Sequence, residues 1–343
     1  MTPAVFGLSG HRLTPDESAF FRDADPVGYI LFQRNCGSRD QLRALTHELR
    51  SLHGRDDLFI SIDQEGGRVA RMKPPDWLAY PAGERFDELY QVAPLSAVEA
   101  VRANAEAMGH ELADCGITVN FHAPLDVRRD DTSEAIGDRA LGRDPLQVAA
   151  LGRGMIEGFA RAGVAGCLKH MPGHGRSTLD THKDLPTVSA SAEELAADIT
   201  PFRQLATTTP IGMTAHIIYT AWDADRPATL SADVINDVIR GTIGFDGLLL
   251  TDDIDMEALS GSIPDRAQQA IAAGCDAVLN CWARMADMIA MAERLPRLTA
   301  EGHRRLAAAM AHADRPDPQD RHARTEQLLA RRDALFSAAG LLA

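Results

Sequence analysis

Residues 247–253 read GLLLTDD, a short apolar run that ends in a threonine and two adjacent aspartates. A run of this length, too short for an ordinary helix and bounded by turn residues, has the pattern of a strand buried on both faces. Runs of the same kind occupy 4–7, 27–32, 58–62, 117–121, 165–168, 210–214, 247–250 and 276–280. Stretches of helical periodicity separate them, several with a start signal: Thr14 before Pro15 with Glu17 beyond, Ser38 with Gln41, Ser191 with Glu194, and Ser231 opening SADVINDVI. Strand and helix therefore alternate. About eight such repeats over about 250 residues or more is the size of a closed parallel barrel. The fold class expected is α/β, a single (β/α)8 TIM barrel.

An open doubly wound sheet is the competing architecture, but neither G-x-G-x-x-G after the first strand nor G-x-x-x-x-G-K-[ST] occurs. No Ser, Gly or Pro tract and no internal repeat divides the chain, so one domain is expected over residues 1–343. The last ~40 residues, rich in Ala, Arg and Leu, read as C-terminal helices.

The formal charge is −14, from 35 basic and 49 acidic residues. Such a balance argues against a nucleic-acid or anionic-membrane partner and favours a small substrate. The five cysteines are scattered without a C-x-x-C pair, which points to no disulfide framework and no zinc knuckle, and fits a reducing cytoplasm. The N-terminal residues lack a secretory pattern, and no run of 18 apolar residues occurs.

In a barrel the reactive groups project from the C-terminal strand ends. The residues found there are polar: Arg34-Asn35, Asp63-Gln64-Glu65-Gly66-Gly67-Arg68, Lys169-His170, His216, Asp252-Asp253 and Asn280. The densest stretch is KHMPGHGRSTLDTHKDLP, 169–186, a loop after the fifth strand that is too long for an ordinary connection. Asp180 and His182 stand two apart, so on an extended segment both side chains share one face. There the carboxylate can fix the imidazole tautomer, and the imidazole can donate and recover a proton. The same histidines allow a metal site or a solvated cluster, although H-E-x-x-H is absent. His170 and His174 could also bond backbone carbonyls at the loop base. Asp252 would reach the barrel axis from a rigid strand end, unless it or Asp253 caps the next helix. The Gly66-Gly67 step permits positive φ, with Arg68 free to pair with a carboxylate.

Taken in order, ILFQRN (30–35), SIDQEGGRVARM (61–72), NFHAPLDV (120–127), IGDRALGRDP (136–145), KHMPGHG (169–175) with DTH (180–182), GMTAHIIY (212–219), LLLTDDIDM (248–256) and AAGCDAVL (272–279) resemble the bacterial β-N-acetylglucosaminidases (β-hexosaminidases) of glycoside hydrolase family 3. The resemblance implies a cytoplasmic barrel enzyme, without metal or organic cofactor, that removes terminal β-linked N-acetylglucosamine, including from muropeptides during peptidoglycan recycling. It implies Asp252 as nucleophile, His182 as acid/base with Asp180 as its partner, and Asp63, Arg71, Arg139, Lys169 and His170 as substrate-binding residues. A monomer is expected. The alternatives are substrate assistance by the acetamido group with Asp252 and Asp253, a β-N-acetylglucosaminide phosphorylase, a metal-dependent hydrolase using His170, His174, His182 and Asp252, and a sugar-binding barrel without turnover.

Overall fold

The computed structural model describes residues 1–312 and 321–342. Each expected apolar run contains a strand: β1 (Thr2–Gly7), β2 (Pro26–Leu31), β3 (Phe59–Ile62), β4 (Val119–Asn120), β5 (Ala165–Gly166 and Leu168–Met171, interrupted at Cys167), β6 (Ile211–Thr214), β7 (Leu248–Asp253) and β8 (Ala277–Asn280). All neighbouring pairs are parallel. The first half of β5 pairs with β4 and the second half with β6, so the two ends of the sheet are one strand and the barrel closes.

Alternation along each strand divides the core in two. Leu248 and Leu250 join Val5, Ile30, Phe59, Val119, Ile211 and Ala277 in the cluster inside the barrel. Leu249 belongs instead to the larger cluster between strands and helices. The inner cluster also takes in Leu298, Leu306, Ala309 and Met310, and the Leu298 N–H donates to the Met1 carbonyl. The helix at Ala300–Ala311 therefore plugs the end of the barrel where β1 begins. This leaves the opposite end, where the strands finish, for chemistry.

The helix starts follow the capping chemistry. Thr14 and Glu17 form a reciprocal capping box, as do Ser191 and Glu194, while the Ser38 hydroxyl accepts the Gln41 N–H. The Ser231 hydroxyl accepts the Val234 N–H, but the helix it opens, Val234–Thr242, is wound as a wider π-helix. One element has no counterpart in the sequence reading: a small sheet of Thr187–Val188, Ile218–Tyr219 and Asp223–Pro227. It receives the chain as it leaves the long loop after β5, through the Ile218 N–H to the Pro186 carbonyl.

The C-terminal helix, Arg321–Ala338, lies along the helix Pro94–Asp114. Its Arg332 donates to Asn104 at 2.9 Å, and the fully buried Phe336 ring meets Phe86 edge-on at 5.7 Å. Truncating such a ring costs about 3–5 kcal/mol in lost transfer energy and residual cavity. Phe336→Ala is expected to lower the urea midpoint by that free energy with an unchanged denaturant slope. An unaltered midpoint would show that this helix adds nothing to the stability of the barrel.

Candidate active site

At the C-terminal strand ends a cavity of about 390 Å³ is walled by Asp63, Glu65, Arg71, Arg139, Lys169, His170, Asp180, His182, Asp252 and Asp253 among others. It brings together all eight residues to which the family resemblance gives a catalytic or sugar-binding role.

The floor is a buried ion network. Lys169, at the end of β5, places its ammonium 2.7 Å from Glu65 Oε1 and 3.1 Å from Asp63 Oδ1. Arg139 grips the same Glu65 carboxylate through two bonds of 2.8 Å. Burial opposes the charge on each of these groups, yet Arg139 and Lys169 hold Glu65 well below the usual carboxylate range, and Glu65 with Asp63 hold Lys169 above the usual ammonium value. Arg71 lies 3.5 Å from Asp63 Oδ2 with its guanidinium over the Phe32 ring. The turn that carries Glu65 depends on Gly66, whose φ is +98°; a Cβ there would sit 2.3 Å from the Pro81 carbonyl oxygen.

Two adjacent carboxyls project from β7 and are pushed in opposite directions. Burial would raise Asp252, but His170, 4.0 Å away, together with His216, the Asp253 N–H and Lys169, holds it down at about 2. Asp253 is pushed up to about 8 by burial and by the charges of Asp255 and Asp252. Neither residue caps the following helix, whose N-cap is Ser262.

The third element is the loop after β5. The peptide between Lys169 and His170 is cis, and both side chains line the cavity. His170 bonds not to a backbone carbonyl but to the buried carboxylate of Asp126, Nδ1 to Oδ2 at 2.8 Å. His174 is enclosed, held down to about 4 mainly by burial, with Nε2 at 3.5 Å from the Thr181 hydroxyl. Asp180 and His182 meet, though through a turn rather than an extended segment: Asp180 Oδ1 accepts the His182 backbone N–H at 3.0 Å and its ring Nδ1 at 2.8 Å. The Asp180 carbonyl accepts from Lys183 and Asp184, which closes the turn. Burial opposes the Asp180 charge, yet the bonds from His182 together hold it below its ordinary value. The His182 side chain is 67% exposed, against 20% for Asp252, so the imidazole stands at the rim with Nε2 unused. Among the described residues no three His, Cys, Asp or Glu side chains converge as metal ligands.

Five polar strand-end residues do not line the cavity; one is Gln64, whose amide accepts the Arg71 and Met72 N–H groups and donates to the Met72 carbonyl. Arg34 and Asn35 bond the Leu8 carbonyl, Arg34 also the Cys281 carbonyl; His216 bridges Thr229 and the Asp253 carbonyl; Asn280 donates to Asp255. They hold the rim together. Asp126 escaped the sequence reading because it stands alone in the apolar stretch NFHAPLDV. Its isolation was itself a signal, since a carboxylate placed in a core-like run must be paired.

A parallel barrel whose cavity joins an ionised carboxylate to a histidine–carboxylate pair on a loop, over a floor of ionic and hydrogen-bonding groups, has the equipment of a glycosidase. Comparison with known proteins identifies the kind. The model of the glycosyl hydrolase family 3 N-terminal domain matches residues 15–315. A β-hexosaminidase of Bordetella pertussis is 35% identical over 95% of this chain and 94% of its own, and one of Alkalilimnicola ehrlichii is 40% identical over 81% and 80%. The crystal structure of NagZ from Neisseria gonorrhoeae with N-trifluoroacetyl-D-glucosamine superposes with a TM-score of 0.88 at 30% identity, covering 98% of both chains. The chain belongs to glycosyl hydrolase family 3 and is a glycosidase, hydrolysing O-glycosyl bonds.

The opposed carboxyls carry a stability consequence. Because Asp253 is raised from 3.8 to about 8, the folded chain keeps a proton that the unfolded chain has released, and stability falls as pH rises through that window. Asp253→Asn mimics the protonated form, so its melting temperature should gain on the parent increasingly from pH 5 to pH 8. A difference independent of pH would refute the raised carboxyl.

Proposed function

We propose that the chain is a retaining, exo-acting β-N-acetylglucosaminidase that works as a monomeric single-domain enzyme on terminal β-linked N-acetylglucosamine, with muropeptides of cytoplasmic peptidoglycan recycling as its natural substrates. The observation that carries this reading is the pair of reactive groups on the walls of one cavity: Asp252, ionised, and His182, oriented by Asp180. The β-hexosaminidase relatives support the hexosamine, and the volume of the cavity, at the small end of ligand pockets, suits one terminal sugar. No helix among the described residues is long and apolar enough to cross a membrane.

In the first step an Asp252 carboxylate oxygen attacks the anomeric carbon as the glycosidic bond breaks, and His182 Nε2, as imidazolium, gives its proton to the leaving oxygen. In the second, neutral Nε2 takes a proton from water, whose oxygen bonds the same carbon and frees the carboxylate. Two inversions retain configuration. Asp253, largely protonated at neutral pH, is the poorer nucleophile, which favours Asp252 within the pair. Asp63, Arg71, Arg139, Lys169 and His170 bind the sugar: Lys169 has a third N–H beyond those facing Glu65 and Asp63, and Asp63 and Arg71 are only part-buried.

Asp252→Ala should cut nitrophenol release from an aryl β-N-acetylglucosaminide by several orders of magnitude, and a fluorinated glycosyl donor should label Asp252 in the parent. Retained turnover in the variant, or labelling elsewhere, would overturn the assignment.

His182→Ala should lose about 10²–10⁴-fold on a sugar leaving group, the usual worth of a positioned acid, and far less on an activated aryl group that departs unprotonated. Equal losses on the two substrates would remove His182 as the acid.

A further inference from the structure

Asp126 sits in the loop after β4 and is fully buried. Its carboxylate accepts three N–H bonds from the root of the long loop: the His170 ring Nδ1 at 2.8 Å on Oδ2, and on Oδ1 the His170 backbone N–H at 3.2 Å and the His174 backbone N–H at 2.6 Å. Burial alone would raise this carboxyl; His170 and then His174 hold it at about 2, so it is an anion and can only accept. A ring nitrogen facing an anion at that distance must carry the proton. The other end of the ring, Nε2, is then the one turned to Asp252, 4.0 Å from Oδ2. The remaining charged and titratable groups around His170 are Lys169 beside it in the chain, the His174 ring at 5.6 Å, and His216 from the loop after β6. Among the described residues none of these lies within hydrogen-bond distance of the ring, so Asp126 alone fixes its tautomer.

We propose that Asp126 is a positioning residue for the glycosidase reaction: it locks the His170 proton on Nδ1, so that Nε2 faces Asp252 and the bound sugar, and ties that imidazole to the root of the loop bearing His182. The proposal rests on Asp252 being the nucleophile. With Nδ1–H fixed, Nε2 can accept a sugar hydroxyl as neutral imidazole, or face the carboxylate as a donor once doubly protonated. The opposite tautomer could do only the second. Because the same carboxylate holds the His174 N–H, the wall beside the nucleophile and the start of the loop are set by one group.

The test is Asp126→Asn. The amide oxygen keeps the two backbone N–H bonds, its NH₂ faces Nδ1 and donates to it, and the ring proton is displaced to Nε2. Ring-nitrogen ¹⁵N NMR, with His170 assigned by its own substitution, should find Nδ1–H in the parent and Nε2–H in the variant. Turnover of the aryl β-N-acetylglucosaminide should fall by about 10²-fold or more, with an altered pH profile of kcat/KM and most of the thermal stability kept. Asp126→Glu, which retains the charge, should recover part of the Nδ1–H population and of the rate.

Nε2–H in the parent, an unchanged tautomer in Asp126→Asn, or a rate loss that merely tracks the unfolded fraction would each overturn the proposal. If Asp126→Asn does not fold, the parent spectrum and Asp126→Glu decide. The spectrum needs no turnover, so a parent that is inert on the aryl substrate while showing Nδ1–H would count against the proposed activity and leave the tautomer assignment standing.

Discussion

The Lys169 ammonium, enclosed between Glu65 and Asp63, is the contact on which the site depends. It joins the end of β5 to the turn after β3, and Arg139 extends the same network to the turn at Gly137–Arg139. Taking these charges out of water is costly, and their attraction repays the cost only when every partner is present and well placed. Removal of one member strands another in the low-dielectric core, a loss of about 3–5 kcal/mol for a typical buried pair. The network therefore selects one relative arrangement of three loops, and it leaves Asp63 and Arg71 partly open above it. A hydrophobic floor of equal volume could match its stability but would offer nothing to a polyhydroxylated ring.

Above that floor the adjacent carboxyls of β7 show how a few ångströms of environment divide two like groups. Asp252 points toward His170 and the cationic floor and stays ionised; Asp253 points toward Asp255 and stays largely protonated. Two full anions side by side would repel each other, and the split leaves one. Asp253 still serves the structure, because its Oδ1 accepts the N–H groups of Asp255 and Cys281 and pins the rim between β7 and β8.

The barrel was legible because its strands are apolar on both faces and several of its helices carry side-chain caps, both of which are local signals. Closure was legible only by counting, since no residue announces that β5 pairs on both sides. The small sheet of two- to five-residue strands left no periodicity to read. Within the site, Asp180 and His182 were legible as neighbours, though the turn that unites them was not. The grip of Arg139 on Glu65 spans 74 residues of chain and has no local trace. Strand-end position over-predicted function at Arg34, Asn35, Gln64, His216 and Asn280, because the rim of a barrel has backbone groups and carboxylates that need partners as much as a substrate does.

The loop after β5 is built unevenly, and that bears on why a histidine should be the acid. Its first half is fastened to neighbouring structure: the Thr132 hydroxyl donates to the Gly175 carbonyl, the Ser133 N–H to the Ser177 carbonyl, and Arg176 pairs with the buried Asp198. Among the described residues the tip has one backbone bond to the barrel, from the Ala258 N–H to the Thr181 carbonyl at 3.3 Å, before the chain is taken up again at Pro186. The proposed acid thus rides on the loosely held half, suited to close over a sugar and withdraw for product release. The cavity below it holds the ionised Asp252, and the cations Lys169 and Arg139 are already engaged by Glu65 and Asp63. A carboxylic acid on the tip would become one more anion on giving up its proton, beside a nucleophile that must itself remain ionised. An imidazolium becomes neutral instead, with the balancing charge of Asp180 on the far side of the ring. Beside an ionised carboxylate, a histidine would complete the proton transfer without adding a second anion.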